Sequence, residues 1–186
     1  MRVIAGTLKG RKLDPPDWEG LRPTSDKLRE TLFNVLAPRM PGARVLDGYA
    51  GTGAVGIEAI SRGAAHVTFV EQDARACALI AKNLEKCRIS NGYAIIQSSV
   101  LQAIDTLGKL DELHREPVFD VILLDPPYAS DFHEALPHVG DIVKPDGLVI
   151  LEHARKTEPP LAPGRLTRVR DVKSGDSVLS FYTCQL

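Results

Sequence analysis

The 186-residue chain is short of the residues that staple, chelate or anchor. It has three cysteines, Cys77, Cys87 and Cys184, an odd number with no C-x-x-C pair among them. That excludes a disulfide framework and a cysteine zinc site, and it leads us to expect a reducing, cytoplasmic setting. The five histidines show no metal-ligand spacing, and His133 and His138 read as surface positions of one helix, so no metal is expected. No apolar run approaches the roughly 20 residues that cross a bilayer. The opening stretch MRVIAGTLKGRKL lacks the apolar core of a secretory leader, and no membrane partner is expected. Internal repeats and low-complexity tracts are also missing.

What is present is an ordinary globular composition, 44% hydrophobic and 25% charged, with a net charge of −1 that hides an asymmetry. Residues 1–44 hold nine Lys/Arg against five Asp/Glu, and the remainder holds fourteen against nineteen. A second basic cluster, Arg165, Arg168, Arg170 and Lys173, lies near the C-terminus. Separated charge of this kind suits either a polyanion on one face or a solvated surface.

Periodicity divides the chain into an extension, 1–40, and a larger unit, 41–186. RVIAG and GRKL flank a turn and predict a small hairpin, and the proline-rich DPPDWEGLRP follows as a loop. Leu28, Leu32, Val35 and Leu36 recur at helical spacing up to Pro38, with Thr24 or Ser25 as N-cap. Strands at ARVLD, HVTFVE, YAIIQ, VFDVILLD and GLVILEH then alternate with helices over 54–63, 73–87, 99–113 and 131–143. LTRVRDV and SVLSFYTCQL, joined across KSGD, close the chain as an antiparallel hairpin. Such alternation predicts a three-layer α/β, Rossmann-like fold with a mostly parallel sheet, whose ligands lie beyond the carboxyl ends of the strands.

Two strand ends carry chemistry. After the first strand, VLDGYAGTGAVG places Gly51, Gly53 and Gly56 in a G-x-G-x-x-G pattern. A dinucleotide would set its pyrophosphate against this loop, where the Asp47 carboxylate would repel it. A ligand with an ammonium and a sulfonium is favoured instead. Glu71, 20 residues beyond Gly51, ends the second strand and can accept hydrogen bonds from both hydroxyls of a ribose. Asp47, Gly48, Tyr49, Gly51, Gly53, Glu71 and the adjoining Gln72 therefore point to S-adenosylmethionine. After the third strand, Ser98 and Ser99 serve either the adenine amine or the cap of the next helix.

The fourth strand ends in Asp125-Pro126-Pro127-Tyr128. An exocyclic amine on a nucleobase is a poor nucleophile because its lone pair is delocalised into the ring. Holding both N–H groups turns that lone pair toward a methyl donor. The Asp125 carboxylate can accept one N–H and the Pro126 carbonyl the other, while Pro126 and Pro127 stiffen the backbone. Tyr128 can stack on the base, a contact worth about 1–3 kcal/mol. Alignment then supplies much of the rate, since the donor is already activated.

RVIAGTLKGRKL, LRPTSDKLRETLFNVL, VLDGYAGTGAVGIEAISRGA, VEQD and LLDPPY, in that order, make the chain resemble the RsmD family of bacterial 16S rRNA guanine-N2 methyltransferases over nearly its whole length. The RPT…RETLFN block is the most specific part of this resemblance. It implies a class I methyltransferase fold with a seven-stranded sheet, S-adenosylmethionine as cofactor, and methyl transfer to N2 of a guanine in 16S rRNA, free or within a small ribosomal subunit. It also implies that Asp47, Gly51, Gly53 and Glu71 contact the cofactor while Asp125 to Tyr128 hold the base. The chain departs from the family at Gly48-Tyr49, where Leu or Cys followed by Phe is common, and at the serines after the third strand. Arg22 and Thr24, before the first helix, are candidates to hold RNA phosphate or the cofactor carboxylate, or serve only to cap that helix, and Arg2, Lys9, Arg11 and Lys12 on the hairpin are candidate RNA contacts. A monomer is expected. Competing expectations are adenine-N6 methylation of DNA, methylation of a protein glutamine, a catalytically silent RNA-binding module and a nicotinamide dehydrogenase.

Overall fold

The computed structural model describes residues 1–21, 24–114, 119–127 and 132–184. Seven strands form one sheet: β1 (Arg44–Asp47), β2 (His66–Glu71), β3 (Tyr93–Gln97), β4 (Phe119–Leu124), β5 (Val143–Ala154), β6 (Leu166–Ser174) and β7 (Ser177–Cys184). Their order is β3-β2-β1-β4-β5-β7-β6. The first five run parallel, and β7 pairs antiparallel with both β5 and β6. Five helices accompany them among the described residues: α1 (Asp26–Leu36), α2 (Ala54–Ser61), α3 (Ala74–Lys86), α4 (Val100–His114) and α5 (Phe132–Val139).

Successive strand residues face opposite sides of the sheet, and the central strands are apolar on both. Val45, Val121, Leu123 and Ile150 pack with Phe33 of α1, Ile57 of α2 and Leu84 of α3. Their neighbours Leu46, Ile122, Leu124 and Leu151 pack with Ile104 of α4 and Leu136 of α5. The result is helix, sheet and helix in three layers, and each such fully buried side chain contributes about 1.5–3 kcal/mol. No helix among the described residues is long and apolar enough to cross a membrane.

The order reverses at β1: the chain winds outward to β2 and β3, then crosses back to lay β4 on the other side of β1. Asp47 pairs with Leu123, so the ends of β1 and β4 emerge together. This is the topological switch point at which open α/β sheets bind their ligands.

The N-terminal segment differs from a full hairpin. A single antiparallel bridge joins Arg2 to Lys12, with Val3 N–H donating to the Arg11 carbonyl at 2.9 Å. Its main-chain groups are spent elsewhere, because Ile4 and Ala5 donate to the Glu58 carboxylate of α2 at 2.8 and 3.0 Å. Val3 and Leu13 join the core beneath α1 and α2. Arg29, from the RETLFN block, is fully buried; its guanidinium donates to the Arg2 carbonyl at 2.9 Å and to Asp26 at 2.6 Å.

Two boundaries also differ. The helix expected over 131–143 stops at Val139, and β5 begins at Val143, ahead of the expected Gly147. Gly140 marks the break: a Cβ there would stand 3.2 Å from Arg165 Cβ. Pro145 is accommodated at an irregularity in the β4–β5 pairing between Phe119 and Val121.

Candidate active site

A cleft of about 890 Å3 opens over the carboxyl ends of β1, β2 and β4, near the upper end of the range for small-molecule sites. The glycine loop forms its floor. Gly53 caps α2 with φ of 76°, a left-handed conformation that glycine adopts without strain, and its N–H donates to the Ala50 carbonyl at 2.7 Å. Gly56 lets α2 lie flat on β2: a Cβ there would fall 2.2 Å from the Phe69 ring. Its N–H also donates to Asp47 Oδ2 at 2.9 Å, fixing that carboxylate at the strand tip. Glu71 accepts from Gly51 N–H and from Asp73 N–H, each at 2.9 Å, and so ties the loop to the end of β2.

Asp47, Gly48, Tyr49, Gly51, Glu71, Gln72, Ser98 and Ser99 all line the cleft. Gly53 does not; it shapes the turn from beneath, packed on Ile80. Ser99 Oγ accepts from Gln102 N–H at 3.3 Å and caps α4, one of the two roles open to that serine. Ser25, rather than Thr24, caps α1 by accepting from Leu28 N–H at 3.2 Å.

Asp125, Pro126 and Pro127 line the same cleft, opposite the glycine loop. Tyr128 and Arg22 lie outside the described residues. Thr24, a candidate for RNA phosphate or the cofactor carboxylate, donates from Oγ1 to Asp125 Oδ2 at 3.0 Å. Of the other basic candidates, Lys9 and Lys12 are exposed, Arg2 is exposed beside Asp26, and Arg11 donates to the Cys87 carbonyl at 3.1 Å.

The electrostatics are one-sided. Asp47, Glu71, Asp125 and Glu152 converge on the cleft, and among its described lining residues the cation is Arg75, paired with Asp73 at 2.7 Å. Burial pushes the Asp47 carboxyl up to about 7, reinforced by Asp125 and Glu71 and opposed by the Gly56 N–H. Burial also raises Asp125, against hydrogen bonds from Thr24 and Glu152. A pocket lined by several carboxylates favours a cationic ligand, and the sulfonium and ammonium of S-adenosylmethionine meet that requirement.

Three features of the cleft went unread in the sequence. Glu152, near the end of β5 and still within its pairing to β7, gave no signal beyond its place after an apolar run. Trp18 and Leu21 bring the proline-rich loop over the mouth, Trp18 against the Arg75 guanidinium at 5.1 Å. Asn83 of α3 ties that loop to the glycine turn, donating to the Thr52 and Asp14 carbonyls at 3.0 and 3.2 Å.

The family model described as Conserved hypothetical protein 95 matches residues 1–183. The Haemophilus influenzae protein named Ribosomal RNA small subunit methyltransferase D is 38% identical over 180 residues, covering 94% of this chain and 89% of that one. Its Escherichia coli namesake is 32% identical over 185 residues, covering 98% and 89%. The chain belongs to the RsmD-like rRNA methyltransferase family. The solved structure of the Escherichia coli protein yhhF is similar throughout, with a TM-score of 0.82 at 30% identity, covering 100% of this chain and 98% of that one. The RsmD-like family lies within the class I S-adenosylmethionine-dependent superfamily, in keeping with the three-layer fold and the switch-point cleft.

Proposed function

We propose that this chain methylates the exocyclic N2 amine of a guanine in 16S rRNA. One observation carries the reading: the amine-holding end of β4 and the glycine-loop end of β1 open onto one cleft, joined by the Asp47–Leu123 pairing. S-adenosylmethionine, when bound, supplies a methyl group already activated as a sulfonium. Asp47 offers the cleft floor a carboxylate for the cationic part of that ligand, and Glu71 offers one for a ribose. Asp125 accepts one N–H of the target amine, and the Pro126 carbonyl accepts the other. Together they hold the nitrogen in one plane with its lone pair directed into the cleft. Asp125 is also a carboxylate in place to receive the proton the amine gives up. A base in folded RNA must leave its stack to enter, so an unpaired or junction nucleotide is the target. The names of the relatives, which specify the small-subunit rRNA, support the choice of RNA over DNA.

The test is transfer of labelled methyl to 16S rRNA, to small ribosomal subunits and to duplex DNA, followed by nuclease digestion and mass spectrometry. N2-methylguanosine as the labelled product is expected, with Asp125→Ala losing turnover while still binding the cofactor. Label in N6-methyladenosine, or in DNA alone, would overturn the reading.

A further inference from the structure

Trp18 is the sole tryptophan of the chain, and neither the glycine loop nor the end of β4 accounts for its place. It stands half-buried in the proline-rich loop that runs from Leu13, in the core, to Leu21. Both ends of that loop are fastened to the glycine turn. At one end the Asp14 N–H donates to Asn83 Oδ1 at 2.7 Å, and Asn83 Nδ2 donates in turn to the Thr52 carbonyl at 3.0 Å. Lys82 and Lys86 of α3 pair with the Asp14 carboxylate and hold the same point. At the other end Leu21 lies so close to Gly51 that a Cβ on that glycine would stand 3.2 Å from the Leu21 Cδ1. Pro15 and Pro16 stiffen the span between. The loop is a strap fixed at both ends, and it carries its one aromatic ring to the cleft mouth.

The ring comes to rest beside the end of β2. The Arg75 guanidinium carbon lies over it, 5.1 Å from the ring centre. That guanidinium is itself pinned, its Nε and Nη2 donating to the Asp73 carboxylate at 3.2 and 2.7 Å. The Asp73 N–H donates to Glu71 Oε1 at 2.9 Å. Two residues thus tie the indole to the carboxylate offered to the cofactor's ribose, and Trp18 and Glu71 line the same cleft. Resting on the reading of that cleft as the S-adenosylmethionine site, we propose that Trp18 is a cofactor-binding residue that lays its ring over the adenosine half of the ligand. Adenosine is the uncharged half, so the carboxylates that favour the sulfonium and the ammonium do little for it. An aromatic face held at the mouth supplies what they do not, a contact with a flat, apolar ring system.

Because the chain has a single tryptophan, emission under selective excitation reports on this one place and needs neither RNA nor turnover. Titrating the wild type with S-adenosylhomocysteine is expected to change that emission along the same isotherm that calorimetry records. Adenosine is expected to change it too, at higher concentration, and methionine to leave it as it was. Trp18→Ala is expected to bind S-adenosylhomocysteine and adenosine about ten- to a hundredfold more weakly, the usual worth of an aromatic face on a base. Trp18→Phe keeps a ring on the strap and is expected to recover most of that loss. Wild-type emission unmoved by S-adenosylhomocysteine that calorimetry shows to be bound would overturn the proposal. So would Trp18→Ala binding it as tightly as the wild type, or Trp18→Phe binding it as weakly as Trp18→Ala. A wild type that takes up no S-adenosylhomocysteine in the calorimeter would instead overturn the cofactor reading of the cleft, and the role of Trp18 with it.

Discussion

Asp47 is the residue at which electrostatics and ligand choice meet. Its carboxyl titrates near 7 in the folded protein, against about 3.9 for an unperturbed aspartate. Between those values the folded chain holds a proton that the unfolded chain has lost, so its contribution to stability is full below about pH 4 and declines as pH rises toward 7. Three units at 1.36 kcal/mol each set an upper figure of about 4 kcal/mol. Asp47→Asn removes this penalty: the ligand-free variant is expected to be more stable than the wild type at pH 8 by up to that amount and equal to it near pH 4, as urea denaturation would read. A cationic ligand favours the ionised form, so S-adenosylmethionine binding should release a proton below pH 7 and weaken at least tenfold in Asp47→Asn. Calorimetry in two buffers of different ionisation enthalpy measures both. Asp47 and Glu71 were legible because each ends an apolar run beside a glycine loop or at the expected offset from one. Glu152 was not, since its meaning comes from Asp125, 27 positions away in sequence and adjacent only through the β4–β5 register.

At the scale of elements, two contacts hold the site's floor. α2 lies on β2 through Gly56, and Gly56→Ala forces a methyl into the Phe69 ring. Overpacking of this sort costs about 1–3 kcal/mol, and because the Gly56 N–H also holds Asp47, loss of stability is expected to come with weaker cofactor binding. Thermal unfolding and calorimetry on the same variant test the pair. The second contact is the Glu58 carboxylate, which receives Ile4 and Ala5 and sits 4.0 Å from the buried Arg29 guanidinium. Glu58→Ala leaves Arg29 paired with Asp26 but strips the Ile4 and Ala5 N–H groups of their acceptor, and each donor left unsatisfied costs about 1–3 kcal/mol. Amide exchange should rise over residues 3–13 more than in β1 or β4. The helix of residues 26–36 was readable from its apolar spacing. That its Arg29 faces inward was not, because the spacing of apolar residues says nothing about a buried cation whose partners, beyond Asp26 of its own helix, come from residues 2 and 58.

Over the whole molecule, charge divides where chemistry divides. The cleft gathers carboxylates, while Arg2, Lys9 and Lys12 stand exposed on the N-terminal segment packed against α1 and α2. A cationic cofactor and an anionic RNA would thus meet opposite fields on one small domain. Neutralising Arg2, Lys9 and Lys12 together is expected to weaken rRNA binding and to flatten the slope of log K against log salt by about 0.7 for each phosphate left without its cation. S-adenosylmethionine affinity should stay the same, and filter binding across a salt series beside calorimetry checks both.

The order of strands and helices, the parallel sheet and the two strand ends that line the cleft were determined by the sequence alone. Each is a local matter: apolar runs buried on two faces, glycines at a turn, an acid or a proline pair where a run stops. Which ends meet was decided by the tertiary structure. The crossover that sets β4 beside β1 brings Asp125 to the Asp47 loop, and the register of β4 on β5 brings Glu152 to Asp125. The fold also sets Thr24 Oγ1 against the Asp125 carboxylate. Proximity across a sheet depends on strand order and register, and no spacing along the chain encodes either one directly.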